Sequence, residues 1–293
     1  MRHLYLHKRR LVVLKPKIEG LPDHDYAKPM CLFGLSRLFD SVGNQLECRR
    51  LLTCALKLWI EMEGRYDNRV DVAMALVALS DVNRLLGLPE EGKKAVEQAL
   101  KIYEQLDNTV ERARCLKSLA SLSLWEKQLD TAEGAASRAI GLVQGEEKGN
   151  QPLVCESHRV IGSIYQAKGE IEKALRHYEA ALAVASSFNW HSGMFWANYD
   201  LGGLFIYGGR LDDAYTNLER VKSHAGNSTC NLALAMELQA VVLNEQRRFE
   251  EAKSEALRTA DLYEKLGLAD GVELCRKFHR HIQEKTNDSV DSG

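Results

Sequence analysis

Small and apolar residues recur along the chain in a frame that fits six times. In one copy Ile161-Gly162 is followed by Tyr165, Gly169, Ala174, Tyr178 and Ala181. The frame also fits Leu35-Ser36 with Cys48 and Ala55, Leu79-Ser80 with Gly92 and Ala99, and Leu119-Ala120 with Ala132 and Ala139. It fits again at Leu201-Gly202 with Ala214 and Val221, and at Ala240 with Ala252 and Thr259. The first small positions, 36, 80, 120, 162, 202 and 240, lie 38 to 44 residues apart. Within each copy the second small position comes 12 residues after the first, and the third seven after that. A constant inner frame with variable joints predicts helical hairpins. Two helices approach closely only where side chains are small, and the 3.6-residue turn sets those places. The joints between hairpins tolerate extra residues.

Two copies align residue by residue. Gly43 to Trp59 and Gly87 to Tyr103 share, in register, a leading Gly, a Glu, two basic residues, an Ala-aliphatic-Lys-aliphatic run and a closing aromatic. A single hairpin has no way to bury its apolar face, whereas stacked neighbours bury it jointly.

On these residues, best at Ile161-Gly162, Tyr165, Ala174 and Tyr178, the chain resembles the tetratricopeptide repeat family. The late Pro of that family is absent from all six copies, with Ser186 in its slot in the best one, and His158 stands in the Trp slot. The period, nearer 40 than 34, resembles the longer-helix variety of signalling scaffolds, kinesin light chains and fungal arrays behind nucleotide-binding modules. The resemblance implies an all-α fold, a right-handed α-solenoid of tandem antiparallel helix pairs closed by a C-terminal capping helix. Repeats are expected at about 29–62, 73–106, 113–146, 155–188, 195–228 and 233–266. Val272, Leu274, Cys275, Phe278 and Ile282 follow at helical spacing, with Arg and Lys between, so the cap is expected at 270–285. Residues 286–293 read as a disordered polar tail. Residues 1–28 read as a basic irregular arm, with Arg2, Lys8, Arg9, Arg10, Lys15 and Lys17 and no acid among the first 18.

Composition narrows the function class. In 293 residues, 39 Lys and Arg against 41 Asp and Glu leave a net charge of -2, without the basic excess of a general nucleic-acid binder. The longest early apolar run, Leu11-Val12-Val13-Leu14, falls far short of the ~18 residues a spanning helix needs. Seven cysteines, an odd number with no C-x-x-C pair, read as reduced thiols, which places the chain in the cytoplasm or nucleus.

No phosphate-binding loop, H-E-x-x-H or G-x-S-x-G motif is present. His279 and His281 lie two apart on a helix, on different faces. The expectation is therefore a chain with no catalytic residues, no metal and no cofactor. What remains is the inner face of the first helix of each pair. By the family frame it carries Arg37, Arg84, Arg114, Lys117, Arg159, Gln166, Trp196, Tyr199, Tyr207, Glu237 and Asn244. Of these, Arg84, Arg114, Lys117, Arg159, Trp196, Tyr199 and Tyr207 are the candidate groove. Arg forks hold carboxylates and rings bury side chains, so an acidic, partly apolar peptide fits best. Trp196 and Tyr207 either face this groove or pack between pairs. Trp59, Trp125 and Trp190 read as core or loop anchors. The family's two-carboxylate clamp lacks its inward Asn residues, since Ser80, Ser118 and Val160 stand near those slots.

The expected role is a non-catalytic protein-interaction scaffold binding a protein or peptide, with no nucleic acid and no membrane. A sensor or autoinhibitory region of a larger nucleotide-binding signalling ATPase is the alternative, and a helical-repeat transferase ranks below it. Partner and oligomeric state are not legible.

Overall fold

The computed structural model describes residues 14–41, 43–62, 64–144, 150–225 and 229–291. The first thirteen residues of the basic arm, the joints at 145–149 and 226–228 and the last two residues of the polar tail lie outside them. The described residues are helical apart from short turns and one bridge residue at Tyr66. The chain divides into two compact units, Met1–Leu153 and Val154–Gly293.

Unit 1 begins with α1 (14–19) and continues as three pairs. These are α2 (Ala27–Ser41) with α3 (Gln45–Glu61), α4 (Arg69–Leu85) with α5 (Pro89–Gln105), and α6 (Thr109–Trp125) with α7 (Leu129–Val143). Its core runs between consecutive pairs, with Leu51, Ala55, Trp59 and Ala75 in one cluster and Leu52, Val96, Tyr103, Cys115 and Leu122 in the next. Asn44 and Asn108 cap α3 and α6, each accepting the N–H of the residue three places on at 3.1 Å.

Unit 2 takes in α8 (Gln151–Ala167) with α9 (Ile171–Ser187), α10 (His191–Tyr207) with α11 (Leu211–His224), and α12 (Thr229–Glu245) with α13 (Phe249–Leu266). The last helix is α14 (Ala269–Asp291). Phe195, Leu218, Val221 and Val242 form one of its clusters, and Tyr178, Leu201 and Leu204 another.

The repeated small residues are the points of closest approach. Ser36, Ser80, Ala120, Ala132, Ala139, Ala174, Ala181 and Ala214 are fully buried. A Cβ added at Gly162 would stand 2.5 Å from Cε1 of Tyr178, and one at Gly92 would stand 3.0 Å from the Ser80 carbonyl oxygen. The pairs thus cross where the sequence is smallest.

The turns between helices share one device. After α4 the Leu88 N–H donates to the Asn83 carbonyl at 2.8 Å, with Gly87 between them at φ 73°. The same five-residue return recurs from Asn108 to Tyr103, Gln128 to Ser123, Trp190 to Ala185 and Arg248 to Leu243. This closure satisfies the last carbonyls of each helix and requires one left-handed residue. Gly169 supplies it after α8, whereas Asp107, Lys127, Asn189 and Arg247 supply it elsewhere at positive φ.

Two expectations about the ends are corrected. Residues 14–19 are helical rather than irregular, because Ile18, and Tyr26 beyond them, lie against the Leu51–Trp59 cluster and cover the apolar end of the first pair. Lys15 and Glu19 fasten this segment to Glu47 and Arg50 at 2.8 and 2.5 Å. At the other end α14 continues to Asp291, through residues expected in a disordered tail. No Gly or Pro interrupts it between Gly271 and Asp291, so nothing local stops the helix. Among the described residues no helix is long and apolar enough to cross a membrane.

Candidate functional site

In unit 1 the candidate cations sit on α4 and α6. These two first helices touch through the Ser118 hydroxyl, which donates to Asp81 at 3.3 Å. Arg84 lies one turn beyond Asp81, half-buried, and its Nε is shielded from solvent without a hydrogen-bond acceptor. Arg114 pairs with Glu111 at 3.0 Å, one turn back on its own helix, and Lys117 follows at the next inward place, half-buried. The same helices expose Met74 and Leu85 on α4 and Trp125 at the end of α6. Trp125 was expected as a core or loop anchor. It is 57% exposed, five residues past Ala120 and so at the same frame position as the exposed Leu85, five past Ser80. Trp59 is buried as expected, and Trp190 packs half-buried against the Ala181–Ala185 cluster.

Unit 2 assembles a different arrangement. Arg159 of α8 places its Nε 2.6 Å from Oδ2 of Asp200 on α10. Its guanidinium carbon also stands 5.4 Å from the Trp196 ring centre. Trp196 meets Phe195 and Tyr199 edge-on, at 5.1 and 5.8 Å between ring centres. Phe195 is wholly buried, so Trp196 and Tyr199 are partly packed between pairs and partly open. Burial raises the Tyr199 phenol above its ordinary range, and the carboxylate of Glu237 adds to this. Tyr207, at the end of α10, is 64% exposed.

Of the other inward candidates Arg37 is exposed, and the remaining three are engaged within the fold. Gln166 accepts the Tyr178 hydroxyl at 3.0 Å, Glu237 accepts that of Tyr263 at 2.5 Å, and Asn244 donates to Glu245 at 3.2 Å. Ser80 and Ser118, near the slots of the two-carboxylate clamp, are buried.

Sequence reasoning missed Asp200. It is the only Asp, Glu, Lys or Arg in the 17-residue α10, which was the signal available. Burial pushes its carboxyl up, and the facing Arg159 pulls it back. Arg159 was expected to be free for a ligand carboxylate and solvent-facing. The correction is that its fork already holds a carboxylate of the same chain. Sequence reasoning also missed the meeting of His158 and His177, whose Nδ1 atoms are 3.1 Å apart.

All seven cysteines are free thiols. Burial pushes Cys48, Cys155 and Cys275 up to about 11 and Cys115 up to about 12, so they stay protonated. Among the described residues no group of three or more His, Cys, Asp or Glu is placed to hold a metal ion.

No protein-family model matches the chain, and no curated protein matches it in sequence. Solved structures do match in fold. A Rap protein complexed with competence and sporulation factor has a TM-score of 0.68 at 14% identity, over 96% of this chain and 81% of its own. The Rap conjugation gene regulator of the plasmid pLS20, in complex with the Phr* peptide, has a TM-score of 0.64 at 15% identity, over 89% and 75%. Aspartyl phosphate phosphatase F from Bacillus subtilis has a TM-score of 0.59 at 14% identity, over 88% and 72%. The fold is that of tandem tetratricopeptide-like helix pairs, as the sequence resemblance implied.

Proposed function

We propose that this chain is a non-catalytic protein-interaction scaffold that holds a peptide or a partner helix on the inner faces of its first-of-pair helices. The observation that carries the reading is the face of α4 and α6. There Met74, Leu85 and Trp125 are exposed beside Arg84, Arg114 and Lys117. Exposed apolar groups next to cations suit an acidic, partly apolar segment. The Phr* peptide complex named for one of the structural neighbours supports the same reading.

The two units would contribute differently. In unit 2 the charge of Arg159 is spent on Asp200, so Trp196, Tyr199 and Tyr207 are proposed as a shelf for apolar side chains rather than for carboxylates. The test is quantitative affinity purification with the whole chain against a Trp125→Ala/Lys117→Glu variant of matched thermal stability. Loss of the partners held by the wild type supports the reading. Equal recovery by both proteins rejects the α4–α6 face as the binding surface.

A further inference from the structure

In unit 1 the space between α5 and α6 is closed by α7. What remains is a 300 Å³ cavity to which α5 gives Glu104, α6 gives Arg112 and Leu116, and α7 gives Arg138 and Leu142. The helices α13 and α14 start 160 residues after α5 and α6. Glu264, Val272 and Arg276 therefore stand where Glu104, Arg112 and Leu116 stand. Here, among the described residues, no second helix covers the space. It is an open groove of about 690 Å³ lined by Leu257, Glu264, Leu268, Val272, Arg276 and Arg280, with Glu273 on its rim.

We propose that this groove is a self-association face, filled by α14 of a second copy of the chain. A two-fold axis across α14 makes the two copies of that helix antiparallel, which is the direction a second helix would take. The floor is apolar, with Val272 buried at its base and Leu257 46% exposed beside it. The charges are self-complementary. Glu273 and Arg280 are seven residues apart on one helix face, so the axis sets each Glu273 against the Arg280 of the other copy. Arg276, nearest the axis, already has the Glu264 carboxylate at 3.6 Å. Glu273 now holds Lys277 at 2.7 Å, an exposed pair within one helix that is cheap to rearrange.

The occupant also has to tolerate bulk. Arg280 occupies the place where Ser80, Ala120, Gly162, Gly202 and Ala240 pack against their own second helices. A close small-residue crossing is excluded at that place, and a crossing bridged by charge is not. An apolar floor with a charged rim is the ordinary anatomy of a protein interface.

The experiment is light scattering on the whole chain after size exclusion, across its soluble concentration range. Wild type is expected at twice the 33.0 kDa chain mass. Arg280→Glu and Glu273→Arg are each expected to weaken the dimer at least about ten-fold, since like charges then face each other. The double swap, Arg280→Glu with Glu273→Arg, is expected to restore it, and Leu257→Glu to break it by a second route. Both charged sites are exposed, and unchanged helical circular dichroism verifies that the variants fold. A monomeric wild type, single swaps that leave the dimer intact, or a double swap that fails to restore it would each overturn the proposal. The proposal is independent of the peptide face on α4 and α6.

Discussion

The Arg159 guanidinium and the Asp200 carboxylate form an ion pair across α8 and α10, 2.6 Å from Nε to Oδ2 and both mostly buried. The pair turns two residues of an aromatic shelf into structural partners. Arg159→Glu would set two carboxylates against each other in a site that already penalises one. It is expected to lower stability by about 3 kcal/mol, the ordinary result of breaking a pair shielded from water. Lys117→Glu, on a half-buried helix face, is expected to cost under about 1 kcal/mol. Urea midpoints of the two variants compare these values, and equal midpoints would refute a structural role for Arg159.

Two half-buried groups give opposite dependences on pH. Burial raises Asp200 above its ordinary 3.8, so its contribution to stability is fully present below that value. It is lost as pH rises through the raised folded value. Burial and the neighbouring His177 hold His158 below 6.5, so its contribution is present above 6.5 and lost as pH falls through the lowered folded value. The 3.1 Å separation of the two Nδ1 atoms requires one to donate and the other to accept, and a doubly charged pair has no acceptor. His158→Gln is expected to flatten the fall in stability between about pH 7 and 5, and Asp200→Asn to remove the opposing limb at lower pH. Urea midpoints at a series of pH values measure both slopes.

The pairing of helices was legible because close packing demands small residues at fixed turns, and Ser36, Ser80, Ala120 and Ala174 are as buried as that demand requires. The candidate binding face was less legible. Frame position alone separates inward from outward, and it puts Lys117 and Arg159 at the same place, three residues before a small position, without telling that Arg159 meets a carboxylate of the same chain. Asp200 lies 41 residues from Arg159, a pairing that only the packing of α10 on α8 creates. Trp125 was misread for a related reason. A large ring is usually buried, but Trp125 falls at the frame position of Leu85, which is exposed as well.

The Tyr178 ring lies over Gly162, and its hydroxyl is held by Ser163 and Gln166, each at 3.0 Å. The ring is pinned at its tip and has no room to swing from an added methyl group, which would lie 2.5 Å from Cε1. Gly162→Ala is expected to lower stability by about 2 kcal/mol, even though Ala is the better helix former. The double variant Gly162→Ala/Tyr178→Leu removes the ring and is expected to lose less than the sum of the two single changes. Thermal denaturation of the four proteins completes the cycle, and additive losses would show that the close approach is not the cause.

Lys127 and Arg247 hold the left-handed position that Gly87 and Gly169 hold in other turns, at φ 59° and 60°. An L side chain there crowds the carbonyl that follows it, at a cost of about 1–2 kcal/mol. Glycine relieves the crowding but adds freedom to the unfolded chain, which returns about 0.4–1 kcal/mol. The balance favours glycine, so Arg247→Gly is expected to stabilise by about 0.5–1 kcal/mol. The reverse change, Gly87→Ala, is expected to destabilise, although a Cβ at Gly87 meets no atom within 4 Å. That empty surrounding makes the pair decisive. If Gly87→Ala is neutral, left-handed backbone is not strained in these turns, and the gain expected at Arg247 must also fail when both midpoints are measured in urea.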